Sequence, residues 1–352
     1  VRAWVVHPEE QRLRAPLRLV VWLSAVIGCA AGAAALASAL APGSLLAALV
    51  AQSLAALLPT LAVARFVDRR PLAGIGLGPL RRLLGHGLVG AALGAGLIGL
   101  VGAIEHTTGA AHYAPRPAEP QALALSLGAL LLVALDEEIL FRGYLLTNLA
   151  EAWGGRSRRT GVALAALVSS LGFGAAHLFN PEVAPLPLLD ITLAGGLLAL
   201  PYVLTGELGL SVGLHLGWNL AQAWLGMAVS GNALPGALAE RLLTPGQELW
   251  TGGGFGPEGG LLGLAALGVG ALVTAPLAWS LADDDTASRL GLPPVSLVRP
   301  TWIERAPPEA HPVQPIEIGP AQPDDQLEPG HASRGHPGTA LEAPPKDPFG
   351  EL

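Results

Sequence analysis

Three features of the sequence predict an all-α fold: a polytopic membrane bundle of about eight transmembrane helices, followed by a disordered C-terminal tail. The first is composition. Of 352 residues, 51% are hydrophobic and 13% charged, where soluble domains carry about 25% charged residues. Mean hydropathy is +0.50. The second is the recurrence of apolar runs at 17–41, 44–66, 83–104, 121–146, 161–179, 186–204, 208–229 and 258–281, each near the roughly 20 residues that a membrane-spanning helix needs. The third is charge placement. Arginines gather before the first run (Arg2, Arg12, Arg14, Arg18), between the second and third (Arg65, Arg69, Arg70, Arg81, Arg82) and between the fourth and fifth (Arg156, Arg158, Arg159). The alternate loops, around Pro42, His112 and Glu182, are nearly free of positive charge. Basic loops stay on the cytoplasmic side. The expected protein is therefore integral to the cell (inner) membrane, multi-pass, with both termini cytoplasmic.

In chain order, residues 1–16 form a polar, basic lead-in, and 17–282 form the transmembrane domain. No cleavable signal peptide is expected, because the first apolar run is long. Cys29, the single cysteine, excludes an internal disulfide; within its apolar run it reads as a buried, inert thiol. Gly90 and Gly94 form a small-xxx-small pair, and Gly209, Gly213 and Gly217 repeat at the same spacing. Small residues let helix backbones approach closely in lipid, so these glycines read as packing faces. Glu105 and His106, ending the third run, read as an interfacial pair, and Trp218 and Trp224 as packing or interface anchors. Beyond Asp283 the chain turns acidic, Pro-rich and poor in apolar residues, which reads as a disordered tail over 283–352.

Within the fourth run lie Asp136, Glu137, Glu138 and Arg142. A charged side chain at such depth costs roughly 2.5–3.5 kcal/mol even on lenient insertion scales. Glu138 and Arg142 are one helical turn apart and can pair. Glu137 points about 100° away from Glu138 and is free for chemistry. Two further runs carry ionisable groups: Phe173 and His177 late in the fifth, His215 and Asn219 in the seventh. His215 and Asn219 share a face, roughly 160–200° from Gly213 and Gly217, so the small face can pack while the polar face meets a cavity. One histidine alone would read as an interhelical hydrogen bond; polar groups on three spans point to a shared site.

A carboxylate and an imidazole converging on one water form a general-base site for attack on a carbonyl. A second His and an Asn amide can donate to the oxyanion that develops. Glu137, His177 and His215 would equally supply three ligands to a water-activating zinc. No H-E-x-x-H motif is present, and the residues leave metal-dependent and metal-free activation both open. By helix rise, His177 falls about 25 Å into the membrane and His215 about 10 Å, so the three helices meet only if they tilt or begin inside the bilayer.

Glu137-Glu138-x-x-x-Arg142, Phe173-x-x-x-His177 and His215-x-x-x-Asn219, in this order on three apolar runs, resemble the motifs of the CPBP family. These are the CAAX-protease and bacteriocin-processing intramembrane proteases, also called the Abi family and often labelled metalloproteases. The resemblance covers roughly residues 121–229, and Arg69-Arg70 before the third run matches loosely. It implies an all-helical membrane endopeptidase whose site lies within the bilayer and opens towards the cytoplasm. Glu137 and His177 would then activate water and His215 and Asn219 would stabilise the oxyanion, with Glu138, Arg142 and Phe173 supporting them. The cofactor stays open between Zn2+ and none. Eukaryotic relatives trim prenylated CAAX proteins; bacterial relatives are linked to peptide maturation, bacteriocin self-immunity and surface display. The expected partners are the lipid bilayer and a peptide or protein substrate, with no nucleic acid. The alternatives are a non-catalytic relative, an ion- or proton-coupled transporter built on the same polar cluster, and a scaffold acting through its acidic tail.

Overall fold

Proline and glycine punctuate the chain where its long helices begin and end. The computed structural model describes residues 12–153 and 158–282. Its long helices are α1 (Ala15–Leu40), α2 (Leu45–Ala62), α3 (Leu80–Thr108), α4 (Pro120–Glu138), α5 (Arg158–Ala176), α6 (Pro185–Thr205), α7 (Gly209–Trp224) and α8 (Leu261–Leu281). Each falls on one of the predicted apolar runs. Pro120 opens α4 and Pro185 opens α6, positions where the missing N–H costs nothing. Gly109 (φ 73°) and Gly206 (φ 69°) close α3 and α6 in the left-handed conformation, and the Ser44 side chain accepts the Ala47 N–H at the start of α2. After Glu138, α4 widens into a π-helical stretch, Ile139–Leu146, and runs on as Thr147–Trp153.

Among the described residues, six helical segments are long and apolar enough to cross a membrane: Ala15–Leu40, Leu45–Val67, Leu72–Thr108, Arg159–Ala176, Pro185–Thr205 and Leu261–Leu281. The chain is an integral, multi-pass membrane protein. The two long helices outside that set, α4 and α7, bear Glu137, Glu138, His215 and Asn219. Exposed apolar side chains such as Leu23, Ile27, Leu58, Leu88 and Leu272 clothe the outer surface, as a lipid-facing surface requires. Cys29 belongs to that surface: it is exposed on α1, correcting the buried thiol expected from its apolar run. In a membrane, an apolar run need not face inward.

The glycines join α3 to α7 at backbone contact. A Cβ at Gly213 would lie 2.0 Å from the Gly87 carbonyl oxygen, and one at Gly217 2.0 Å from that of Ala91. From the other side, Gly90 and Gly94 meet the carbonyls of Leu210 and Leu214. The predicted small face of α7 is thus spent on α3, leaving His215 and Asn219 on the far side.

A short sheet, which no pattern in the residues announces, joins two of the loops. β1 (Ala111–Pro115) pairs antiparallel with β2 (Ala239–Leu243), tying the loop after α3 to the long segment between α7 and α8. Neither strand alternates polar and apolar residues. Glu105 does not pair with His106; it is buried and bound by Arg241 at 2.5 Å and by the Tyr113 hydroxyl. The lead-in residues 1–11, Arg156 and the predicted tail 283–352 lie outside the described residues.

Candidate active site

α4 delivers its carboxylates to the interior just before its turns widen, and the first contact is local. Arg142 Nη1 donates to Glu138 Oε1 at 2.7 Å, both side chains fully buried. The same oxygen accepts from His215 Nδ1 at 2.9 Å; a carboxylate can only accept, so the imidazole proton sits on Nδ1. Arg142 Nη2 donates to the Gly195 carbonyl at 3.0 Å, and its guanidinium lies 4.4 Å from the Phe173 ring centroid, within cation–π range. Glu138 and Arg142 therefore fix one face of His215 and never meet solvent.

Glu137 differs in both respects. Its side chain is 23% exposed, and its Oε2 lies 3.7 Å from His215 Nε2, the ring nitrogen that Glu138 leaves free. His215 is consequently held between two carboxylates, one structural and one facing open space. That space is a cavity of about 320 Å³ lined by Glu137, His177, His215 and Asn219 together with Trp218 and Phe173. All four residues singled out as reactive thus share one chamber. Asp136 is buried but does not line it.

Their contacts are unequal. Glu137 and His215 are near neighbours, whereas His177 reaches the cavity from just beyond the end of α5. Its Nδ1 is 2.8 Å from the Phe173 carbonyl oxygen, one turn earlier. The Phe173 ring stands between the two histidines, 4.9 Å from His177 and 6.0 Å from His215 centroid to centroid, and packs edge-on against Phe141. The zinc ligand set raised by the sequence does not assemble: among the described residues, no three His, Cys, Asp or Glu side chains gather as metal ligands. This donor arrangement does not fit a three-ligand zinc. His177 and His215 nevertheless line one cavity, with the Phe173 ring between them.

Sequence reasoning missed one acid. Glu258 also lines the cavity; it accepts from Trp218 Nε1 at 3.0 Å and from the Ser230 N–H and hydroxyl at 2.9 and 2.7 Å. These bonds hold Ser230 in the left-handed region (φ 45°), next to Gly231, where a Cβ would lie 2.1 Å from the Pro181 carbonyl oxygen. The available signal was an acid at the head of the last apolar run. Trp218, expected as a packing anchor, is the residue that binds it.

Residues 119–221 match the family model described as type II CAAX prenyl endopeptidase Rce1-like. No curated protein and no solved structure matches the chain. The matched segment contains α4, α5, α6 and most of α7, and with them every motif residue from Glu137 to Asn219. Over residues 119–221, which hold the three motifs, the chain is similar to the Rce1-like type II CAAX prenyl endopeptidases, in agreement with the family resemblance read from those motifs.

Proposed function

We propose that this protein hydrolyses peptide bonds inside the membrane with a water activated by Glu137 and His177. The observation that carries the proposal is the convergence of Glu137, His177, His215 and Asn219, from three helices, on one cavity. Glu137, the reachable carboxylate, takes the proton as water adds to the amide carbon and passes it to the amine nitrogen as the C–N bond breaks, while His177 holds the attacking water. The oxyanion that develops is met by His215 Nε2 and the Asn219 amide. Donors of this kind are each worth about 2.7–4 kcal/mol. For Nε2 to donate, His215 must carry a second proton. As an imidazolium it would, with Arg142, balance the charges of Glu137 and Glu138, and the cluster would be formally neutral. Glu138 and Arg142 act by positioning: they fix the ring so that Nε2 faces the cavity.

The test is cleavage of a peptide library by the purified protein in lipid vesicles, read by mass spectrometry. Wild type should cut. Glu137→Gln, which keeps the shape and loses the base, should lower the rate by about 10²–10⁴-fold with an unchanged melting temperature. Proton or ion flux through the vesicles that depends on Glu137 while no peptide is cut would favour a relay in its place.

A further inference from the structure

Resting on that reading, we infer that the cavity opens on the extracytoplasmic side of the membrane, and that its substrate is a polypeptide segment presented from there. The loops sort into two ends by direct contact. At one end Arg70 pairs with Glu151 at 2.6 Å, Arg18 with Glu151 at 2.9 Å and Arg82 with Glu207 at 3.2 Å, and Leu208 N–H donates to the Gly76 carbonyl at 2.9 Å. At the other end β1 pairs with β2, Asn180 Nδ2 donates to the Ser230 carbonyl at 2.9 Å, and Gly231 N–H donates to Phe255. The first end holds Arg12, Arg14, Arg65, Arg69, Arg70, Arg81, Arg82, Arg158 and Arg159. The second holds Arg116 and Arg241, and Arg241 is neutralised by Glu105. Positive charge marks the cytoplasmic end.

The cavity belongs to the other end. Its exposed lining residues are Ala48 and Gln52 in the first turns of α2, and Ala176, Phe179 and Pro181 at and beyond the end of α5. Phe179 is 96% exposed. Between the reactive residues and the basic loops lies a packed apolar layer: Ile75, Tyr144, Leu146 and Leu208 are fully buried and pack with Ile139, Ala165 and Tyr202. Glu138 and Arg142 cap that layer from the cavity side. An opening towards the cytoplasm and cytoplasmic termini, both expected from the sequence, are therefore incompatible in this fold, and the arginines favour the termini. The opening lies where a cytoplasmic CAAX terminus does not reach, so the peptide bond cut belongs to a chain that has crossed, or spans, the membrane.

The test needs no proteolysis. In the full chain carrying Cys29→Ser, a single cysteine is placed at the mouth (Phe179→Cys), at the same end in water (Arg116→Cys), or at the basic end (Arg81→Cys). Intact cells are treated with a membrane-impermeant maleimide before or after lysis. Phe179→Cys and Arg116→Cys should label fully before lysis with no further gain, and Arg81→Cys only after it. Labelling of Arg81→Cys in intact cells, with the other two protected until lysis, overturns the inference. A second arm adds the same reagent to cells in which Phe179→Cys cleaves a reporter peptide, and expects loss of cleavage. Correct labelling with no peptide cut by any variant would sink the protease reading alone and leave the orientation standing.

Discussion

One oxygen of Glu138 contacts both Arg142 at 2.7 Å and His215 at 2.9 Å, so its removal disturbs two residues at once. Losing one partner of a buried pair leaves an uncompensated charge, at a cost of roughly 3–5 kcal/mol. Glu138→Ala and Arg142→Ala should each lower unfolding stability by about that amount, measured by denaturant titration in detergent. The double replacement Glu138→Leu with Arg142→Met should recover most of the loss while staying inactive, because His215 has lost its support. Recovery of cleavage along with stability would contradict the positioning role. Outside the bilayer, Glu151 receives Arg70 at 2.6 Å and Arg18 at 2.9 Å, with Arg12 at 3.5 Å. Burial alone would raise its pKa, but these guanidiniums outweigh it and hold the carboxyl below its ordinary value of 4.5. A depressed acid contributes stability above its unfolded pKa and loses it as pH falls through the folded one. The stability gap between wild type and Glu151→Gln should therefore be constant near neutral pH and shrink below 4.5. Melting curves across that range check it, and a gap independent of pH would contradict it.

Among the elements, α7 is the one whose two faces do different work. Gly209, Gly213 and Gly217 press it on α3, and this puts His215 and Asn219 towards α4 and the cavity. Gly213→Leu has no room, since the Gly87 carbonyl oxygen lies 2.0 Å from where Cβ would be. Overpacking costs about 1–3 kcal/mol, and a backbone obstacle puts this substitution at the upper end. Cleavage should fall as well, because α7 must shift relative to Glu138; full activity at unchanged stability would argue against the packing account. This face was legible in the sequence, because a four-residue repeat of small residues has few other uses in lipid. The Glu138–Arg142 pair was legible for the same local reason, one helical turn. What could not be read were contacts between distant loops: β1 with β2, Glu105 with Arg241, and Glu258 with Trp218 and Ser230. No periodicity announces such partners. Cys29 failed differently, since hydropathy ranks a lipid-facing residue and a core residue alike.

At the scale of the molecule, the two larger of the apolar clusters among the described residues divide the bundle. One surrounds the cavity through Phe141, Phe173, Leu214 and Trp218; the other seals the end with the basic loops through Tyr144, Tyr202 and Leu208. A chamber polar at its floor keeps the Glu137 carboxylate beside His215, and His177 with them, at a depth where each would otherwise be costly. If Glu137 and His215 serve the same reaction at that floor, their losses cannot add, because removing either already disables the step. The most direct measurement is single-turnover cleavage of one peptide by Glu137→Gln, His215→Ala and the double variant, in lipid, with folding checked by melting. The double variant should be no slower than the worse single one, each far below wild type. Losses that multiply, or a Glu137→Gln protein that cuts as wild type does, would show that these side chains do not share a reaction.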